Sequence, residues 1–586
     1  DLARRVAENW LEQRKELEYP LLKGNQESGN QAIRKKPDYL IPNHPSDFLL
    51  EIGVEELPAK DLDTAIEQLK LFFEQNILKV YHLKYKDAKV FGTPRRLVVY
   101  VSDLDPIGET TFVEKKGPPE SAAFKDGKPT QALLGWLRKN NIPVLDEFLT
   151  PEYLVQERDG GKYVVRQKEI EGSLISELFL HVLPTLSIGN IKFDKSMRWN
   201  HTNVSFSRPI RWLVCLFGET VIPIEYAGLT AGRTTRGLRP YNSPEIEIPA
   251  AEMYFEIIKK NGILLDVEER KDLIEAGVRE LAVSVKGEAV IPPDLLTEVA
   301  NLVEKPTPFM GNFKEEFLSL PKDVLISVMK KHQRYFPVIP FEPLPEYILL
   351  GLLPCFIAIR NGDSEHLDVV RQGNEHVLGA RFADANFFVR EDLKHKLEDF
   401  RPRLGTLTFQ KKLGSMLDKN ERIEKLTEAL VPMLGLEADE ALFARRAAHL
   451  LKADLVSKMV VEMTSLQGVM GRDYAQRDGE APAVAEAIGE QYLPVPHTRP
   501  GLAVALADRL DSLAGLFAVG LAPSGTKDPF GLRRAAIGLI QPLIEHKINF
   551  DLHAALKSAA ALEPVPVTDE VQAQVLEFIT GRLRVV

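Results

Sequence analysis

Cysteine is nearly absent: Cys215 and Cys355 are the two in 586 residues. Two thiols cannot build a disulfide framework or a thiolate zinc site, and such sparing use suits a reducing compartment, a bacterial cytoplasm or an organelle interior. No apolar run reaches about 18 residues, so no membrane-spanning helix is expected. An excess of positive charge is missing too. Lys and Arg number 74 against 84 Asp and Glu, a balance of −10. That excludes a globally cationic nucleic-acid binder but not a local phosphate-binding patch. Nucleotide machinery is also lacking: there is no GxxxxGK[ST] loop, no GxGxxG after a strand and no HExxH. Gly127–Lys128 lacks the glycine five residues earlier that a phosphate loop needs. No catalytic centre and no metal centre are expected within these residues.

What is present is globular composition, with 44% hydrophobic and 27% charged residues, which excludes a mostly disordered chain. At about 150 residues per domain the length predicts roughly four domains. Residues 1–22 have the spacing of one amphipathic helix, with Leu2, Val6, Trp10 and Leu17 near one face. Residues 24–47 have linker composition. From Phe48 to about residue 240 strand-like segments (Phe48–Gly53, Arg95–Ser102, Tyr163–Val165, Arg211–Phe217) mix with helical ones (Ala65–Ile77, Leu174–Leu186), which predicts an α+β region. Residues 241–404 alternate helical stretches with Pro- and Gly-rich turns, and 405–586 read as helical. The expected class is α+β and multidomain, ending in an all-helical domain. Leu451, Leu455 and Met459, and separately Leu506, Leu510, Leu513 and Phe517, are expected as core stripes of packed helices. The chain starts at Asp1 without Met and without a signal-like apolar core, so a processed chain or a fragment is expected there, and it stops inside an apparent helix, so an end within a longer protein is expected.

The most basic window is residues 191–240, with eight Lys or Arg against three Asp or Glu. It carries KSMRW (Lys195–Trp199), FSRPIRW (Phe206–Trp212) and GRTTRGLR (Gly232–Arg239). Guanidinium forks grip phosphates, and flat side chains stack on unpaired bases, so arginine interleaved with aromatics suits RNA. The competing reading is a solvated cationic surface with Trp199 and Trp212 packed inside. TPRR (Thr93–Arg96) and RPRLGTLTFQKK (Arg401–Lys412) are smaller basic segments. The helical third holds HLLKADL (His449–Leu455) and ALADRLDSL (Ala505–Leu513), which are similar to metal-dependent phosphohydrolases of the HD type. Those clamp a divalent ion with His, a His-Asp pair and a later Asp. Here Ala453 precedes Asp454 where a histidine belongs. On one helix, five residues rotate about 500°, leaving His449 and Asp454 roughly 140° apart. Asp508 and Asp511 are expected on a solvated face. An HD-like scaffold with lost ligands at Ala453, Asp454 and Asp508 is therefore expected, and an HD-type phosphohydrolase is the rival function.

Many of these segments together resemble one family, the β subunit of bacterial glycyl-tRNA synthetase. LLEIGVEELP (Leu49–Pro58), TPRRL, KSMRW, FSRPIRW, TTRGLR, HQRYFPV (His332–Val338), GNEHVLGARFADANFF (Gly373–Phe388), LGSMLDK (Leu413–Lys419), KADL, LQGVMGRDYA (Leu466–Ala475) and GTKDPFGLRRAA (Gly525–Ala536) occur in order from residue 48 onward. Residues 1–23 resemble the last helix of the same enzyme's α subunit, which implies a fused α–β synthetase. The resemblance implies glycine attachment to tRNA, with ATP, Mg and glycine held in an α-type catalytic region outside this chain and no cofactor here. It also implies glycine tRNA as partner, a homodimer of the fused chain, a cytoplasmic or organellar setting, a tRNA-binding body-and-tail-like region at 241–404, and an anticodon-binding domain lying beyond residue 586. Where the family usually shows Thr-Arg-Gly-His-Arg-Phe, this chain has Thr235 to Pro240 with Leu238 in place of the histidine. The RNA-contact set expected from basic segments and resemblance together is Arg95, Arg96, Lys195, Arg198, Arg208, Arg211, Arg236 and Arg239. A non-binding scaffold that only joins synthetase pieces is a third reading.

Overall fold

The computed structural model describes residues 42–586 except 140–148, 159, 171–174, 342–350, 526 and 584–586. The N-terminal helix and most of the linker expected at 1–47 lie outside the described residues. The rest forms an α+β multidomain chain with two compact units. One comprises residues up to Val278 with Ile291–Pro308 and Ile359–Glu365; the other comprises Arg279–Val290, Phe309–Ala358 and His366 onward.

The first unit is built on a five-stranded antiparallel sheet, in the order Thr220–Val221, Ile210–Phe217, Ser46–Val54, Arg96–Leu104, Asp87–Thr93. In the central strand Leu50 stands between Val99 and Cys215. FLLEIGV shows no alternation because the sheet is covered on both faces. Phe48, Leu50 and Ile52 meet Leu62, Ala65 and Leu69 of the helix Ala59–Phe72. Leu49 points the other way, with Val98, Trp212 and Val214, against Tyr254 and Ile258. Glu51 and Gly53 share that second face. Gly53 is required there, since a Cβ would lie 1.9 Å from the Trp212 ring. A smaller three-stranded sheet, with Gly161–Ile170 between Thr111–Pro119 and Val155–Arg158, packs its own core of Leu133, Leu137, Leu154 and Val164.

The second unit has one apolar core that runs from Phe309 to Ile579. Residue 404 therefore marks a change from mixed to helical structure within a unit. Its central helix, Arg499–Ala518, begins with Thr498 accepting from the Gly501 amide at 3.0 Å. Leu506, Leu510 and Leu513 are wholly buried and Phe517 nearly so, as their spacing predicts. The other stripe is not a single helix. Ala438–Leu450 ends there, Lys452 turns left-handed at φ +66°, and Ala453–Val456 is a separate 3-10 turn. Leu451 and Met459 are still buried, but from different elements. Among the described residues no helix is long and apolar enough to cross a membrane.

Candidate nucleic-acid interface

The eight expected contact residues fall into three physical groups. Arg95 lies in the tight turn between the edge strand and its neighbour, Arg96 opens the neighbouring strand, and both are buried. Arg96 sits at 0% exposure, where Nε donates to Glu304 Oε1 at 2.9 Å and Nη2 to the Arg236 carbonyl at 2.8 Å. Its Nη1 donates to Thr235 at 3.3 Å and lies 3.8 Å from Glu51. Burial pulls the guanidinium pKa down, but the Glu304 and Glu51 carboxylates outweigh it, and Arg96 is held more firmly charged than in water. Glu51 is held in turn by Trp212, Thr235 and Tyr254, all donating to its carboxylate. Glu304 also accepts from Thr93 at 2.7 Å. Arg95 donates to the Gly237 carbonyl at 3.1 Å, and both guanidinium groups lie within 6 Å of the Trp212 ring centre. These two arginines are therefore corrected from RNA contacts to internal braces of the sheet: no phosphate reaches Arg96.

The second group is exposed but already paired. Arg211 meets Glu55 at 2.7 Å, Arg239 meets Glu55 and Glu56 at 3.4 and 3.2 Å, and Arg236 meets Glu245 at 2.9 Å. A phosphate must displace a carboxylate at each. The third group is Lys195, Arg198 and Arg208, which have no carboxylate partner among the described residues. Lys195 and Arg198 stand exposed on the loop pinned by backbone bonds between Met197 and Phe206. Arg198 donates to the Asn203 carbonyl at 3.2 Å and Arg208 to that of Ser207 at 2.8 Å, which orients both without neutralising them. Trp212 is buried, and Trp199 is half-buried against the sheet's core, so neither presents a free face.

Arg401 of the third basic segment turns inward to Asn420, Glu424 and the His449 carbonyl. Lys411 and Lys412 are exposed between the strands Thr408–Gln410 and Gly414–Ser415.

The HD-like positions lie in a buried ion-pair cluster. Asp508 and Asp511 are not on a solvated face, because helix Met416–Leu434 covers it with cations. Lys419 donates to Asp511 at 2.6 Å and pairs with Asp508 at 3.0 Å; Lys452 meets Asp508 at 2.8 Å. Arg422 donates to Asp511 at 2.6 Å and lies 3.5 Å from Glu563. The lysine pair overcomes burial and holds Asp508 well below the usual carboxylate range. Asp454 is wholly buried and spends one oxygen on the Gly468 and Gly471 amides, at 2.6 and 3.1 Å. Burial pushes its pKa up against those donors. His449 faces elsewhere, 3.2 Å from both Glu424 and Glu398. Ala453 offers no donor atom, Asp454 is engaged by backbone and Asp508 by two ammonium groups. This donor set does not fit a divalent ion, and among the described residues no cluster of three potential ligands forms.

Glu563 gives the cluster a pH dependence. Burial first, then the Asp511 charge, raise its carboxyl from 4.5 to about 8. The folded state thus binds a proton that the unfolded chain has released, and this contribution is complete below pH 4.5 and lost as pH rises through 8. Stability should fall with pH across that window, by at most about 1.4 kcal/mol per unit. Glu563→Gln, which keeps a donor toward Asp511, should flatten the slope when melting is followed from pH 5 to 9. An unchanged slope would show that Glu563 is ionised throughout.

Compared with known proteins, residues 48–586 match the family model described as glycyl-tRNA synthetase beta subunit. Glycine–tRNA ligase, chloroplastic/mitochondrial 2, of Arabidopsis thaliana is 40% identical across 99% of this chain and 54% of its own length. The glycine–tRNA ligase beta subunits of Desulforudis audaxviator and Moorella thermoacetica are 42% and 40% identical across 92% of this chain, and 78% and 77% of their own lengths. The chain therefore spans about half of the organelle relative and roughly three quarters of the bacterial ones.

Proposed function

Because the chain belongs to the glycyl-tRNA synthetase beta subunit family, we propose that it is the tRNA-gripping part of a glycine–tRNA ligase. In this reading it holds glycine tRNA by its phosphates and orients the acceptor end for a separate α-type catalytic region. That region takes ATP, Mg and glycine, and joins amino acid to RNA. In this reading the chain contributes catalysis by orientation, and the reacting groups belong to the α-type region. The single observation that carries the grip is the segment with Lys195, Arg198 and Arg208, cations unopposed by carboxylates among the described residues, the two arginines oriented by backbone carbonyls. The fused arrangement is supported by coverage: the organelle ligase aligns with 99% of the chain and the beta subunits with 92%. A homodimer of the fused chain and a cytoplasmic or organellar setting belong to the same reading.

Charge reversal tests it. Lys195→Glu, Arg198→Glu and Arg208→Glu together should weaken tRNA binding tenfold or more and flatten its salt dependence by about two to three in log–log slope. Arg211→Glu, whose side chain is already bound to Glu55, should cost less than the loss from Arg198→Glu. Unchanged affinity in the triple variant would remove the loop from the interface.

A further inference from the structure

We propose that the Lys452 ammonium is the built-in cation of the HD-like positions: it joins the groups that a divalent ion would join, and holds this part of the helical unit together in the ion's stead. The inference is independent of the tRNA-gripping reading, because it concerns groups enclosed within one unit. Lysine is among the residues least often fully buried, yet Lys452 is 3% exposed. Its backbone is left-handed, at φ +66°. Glycine or asparagine takes that conformation at lower cost, so backbone geometry does not call for a lysine there. The side chain does. Its Nζ donates to Asp508 Oδ2 at 2.8 Å and to Gln491 Oε1 at 3.2 Å, and reaches the Tyr492 hydroxyl at 3.5 Å. One ammonium thereby ties three segments: the turn after Ala438–Leu450, the residues that close Pro482–Glu490, and the central helix Arg499–Ala518.

The second carboxylate belongs to Asp454, two residues further along the chain. Its Oδ2 accepts from the Gly468 and Gly471 amides, while Oδ1 is buried without a hydrogen-bond partner. Burial pushes this carboxyl up, and after the two amides the Lys452 charge is what opposes burial. Asp508 is shared differently. Lys419 meets its Oδ1 at 3.0 Å and Lys452 its Oδ2, so removing Lys452 alone frees Oδ2. The groups then left to an incoming ion are oxygens of Asp454, Asp508, Gln491 and Tyr492. Those are hard donors of the kind that Mn2+ and Mg2+ accept. With Lys452 present an ion would have to displace an ammonium that is covalently tethered and already desolvated, which is why the present donor set does not fit one.

Lys452→Gly tests this, because glycine suits the left-handed backbone and the ammonium is lost without added strain. Followed by circular dichroism in chelator, the variant should melt about 5–10 °C below the wild type. Adding Mn2+ at about 1 mM should recover at least half of that loss. The wild type should melt at the same temperature with Mn2+ as with chelator. Asp508→Asn added to Lys452→Gly should abolish the Mn2+ response, since it removes the carboxylate that Lys452 had occupied. If Lys452→Gly does not fold in chelator, its folded yield after refolding with Mn2+ and with chelator is compared instead, and a higher yield with Mn2+ is expected. A Lys452→Gly chain that melts with the wild type, or that Mn2+ neither stabilises nor refolds, would overturn the proposal. So would a Mn2+ response that survives Asp508→Asn, which would place the ion elsewhere.

Discussion

Arg96→Met is expected to destabilise the sheet unit by about 3–5 kcal/mol, read as a lower denaturant midpoint in Trp212 fluorescence. The substitution keeps most of the side-chain volume and removes one charge. It strands two carboxylates that have no water: Glu51 and Glu304 are both at 0% exposure. Glu51 retains the three donors Trp212, Thr235 and Tyr254. Glu304 keeps Thr93 on the shared oxygen, and its other oxygen has no partner at all. The damage should therefore fall mainly on Glu304, and adding Glu304→Gln to Arg96→Met should recover part of the loss. A loss below about 1 kcal/mol, or simple additivity of the two changes, would contradict the network.

Asp511→Ala should cost a similar amount, about 3–5 kcal/mol, in the helical unit. Asp511 is the acceptor that Lys419 and Arg422 share, at 2.6 Å from each. Lys419 can fall back on Asp508, but Arg422 would keep the Leu413 carbonyl and, as its nearest acid, only Glu563, a carboxyl that burial and the Asp511 charge hold protonated at neutral pH. Removing Asp511 also removes a cause of that proton uptake, so Glu563 should ionise at lower pH and take over as partner. The variant should accordingly lose the steep fall in stability between pH 5 and 8. By contrast Glu428→Ala, which breaks the exposed pair with Arg445, should change stability by less than about 1 kcal/mol. Equal losses at the two sites would refute the weight given to burial.

The strands were legible because an apolar run such as FLLEIGV, bounded by polar residues, has few other uses. The leucine stripe of Arg499–Ala518 was legible because helical spacing survives wherever a core lies along one side. Local charge counting failed where partners are distant. Arg96 reads as part of a basic patch, yet its acid is Glu304, 208 residues away. Asp508 and Asp511 read as a wet face because the cations that cover them belong to other segments of the chain. The break after Leu450 escaped as well. It turns on Lys452 adopting a positive φ, with no glycine or proline to announce it. The paired and unpaired arginines of the first unit are indistinguishable by composition, and only geometry separates Arg211 from Arg198.

The central claim is that this chain holds tRNA by unopposed surface cations. The most direct measurement is equilibrium binding of the wild-type chain to glycine tRNA and to one unrelated tRNA over a salt series. The account predicts tight binding at low salt that weakens steeply and log-linearly as salt rises, with the glycine tRNA preferred by any identity contacts the chain makes. Weak binding at low salt, or affinity that does not change with salt, would contradict it and favour a part that only joins the pieces of the synthetase.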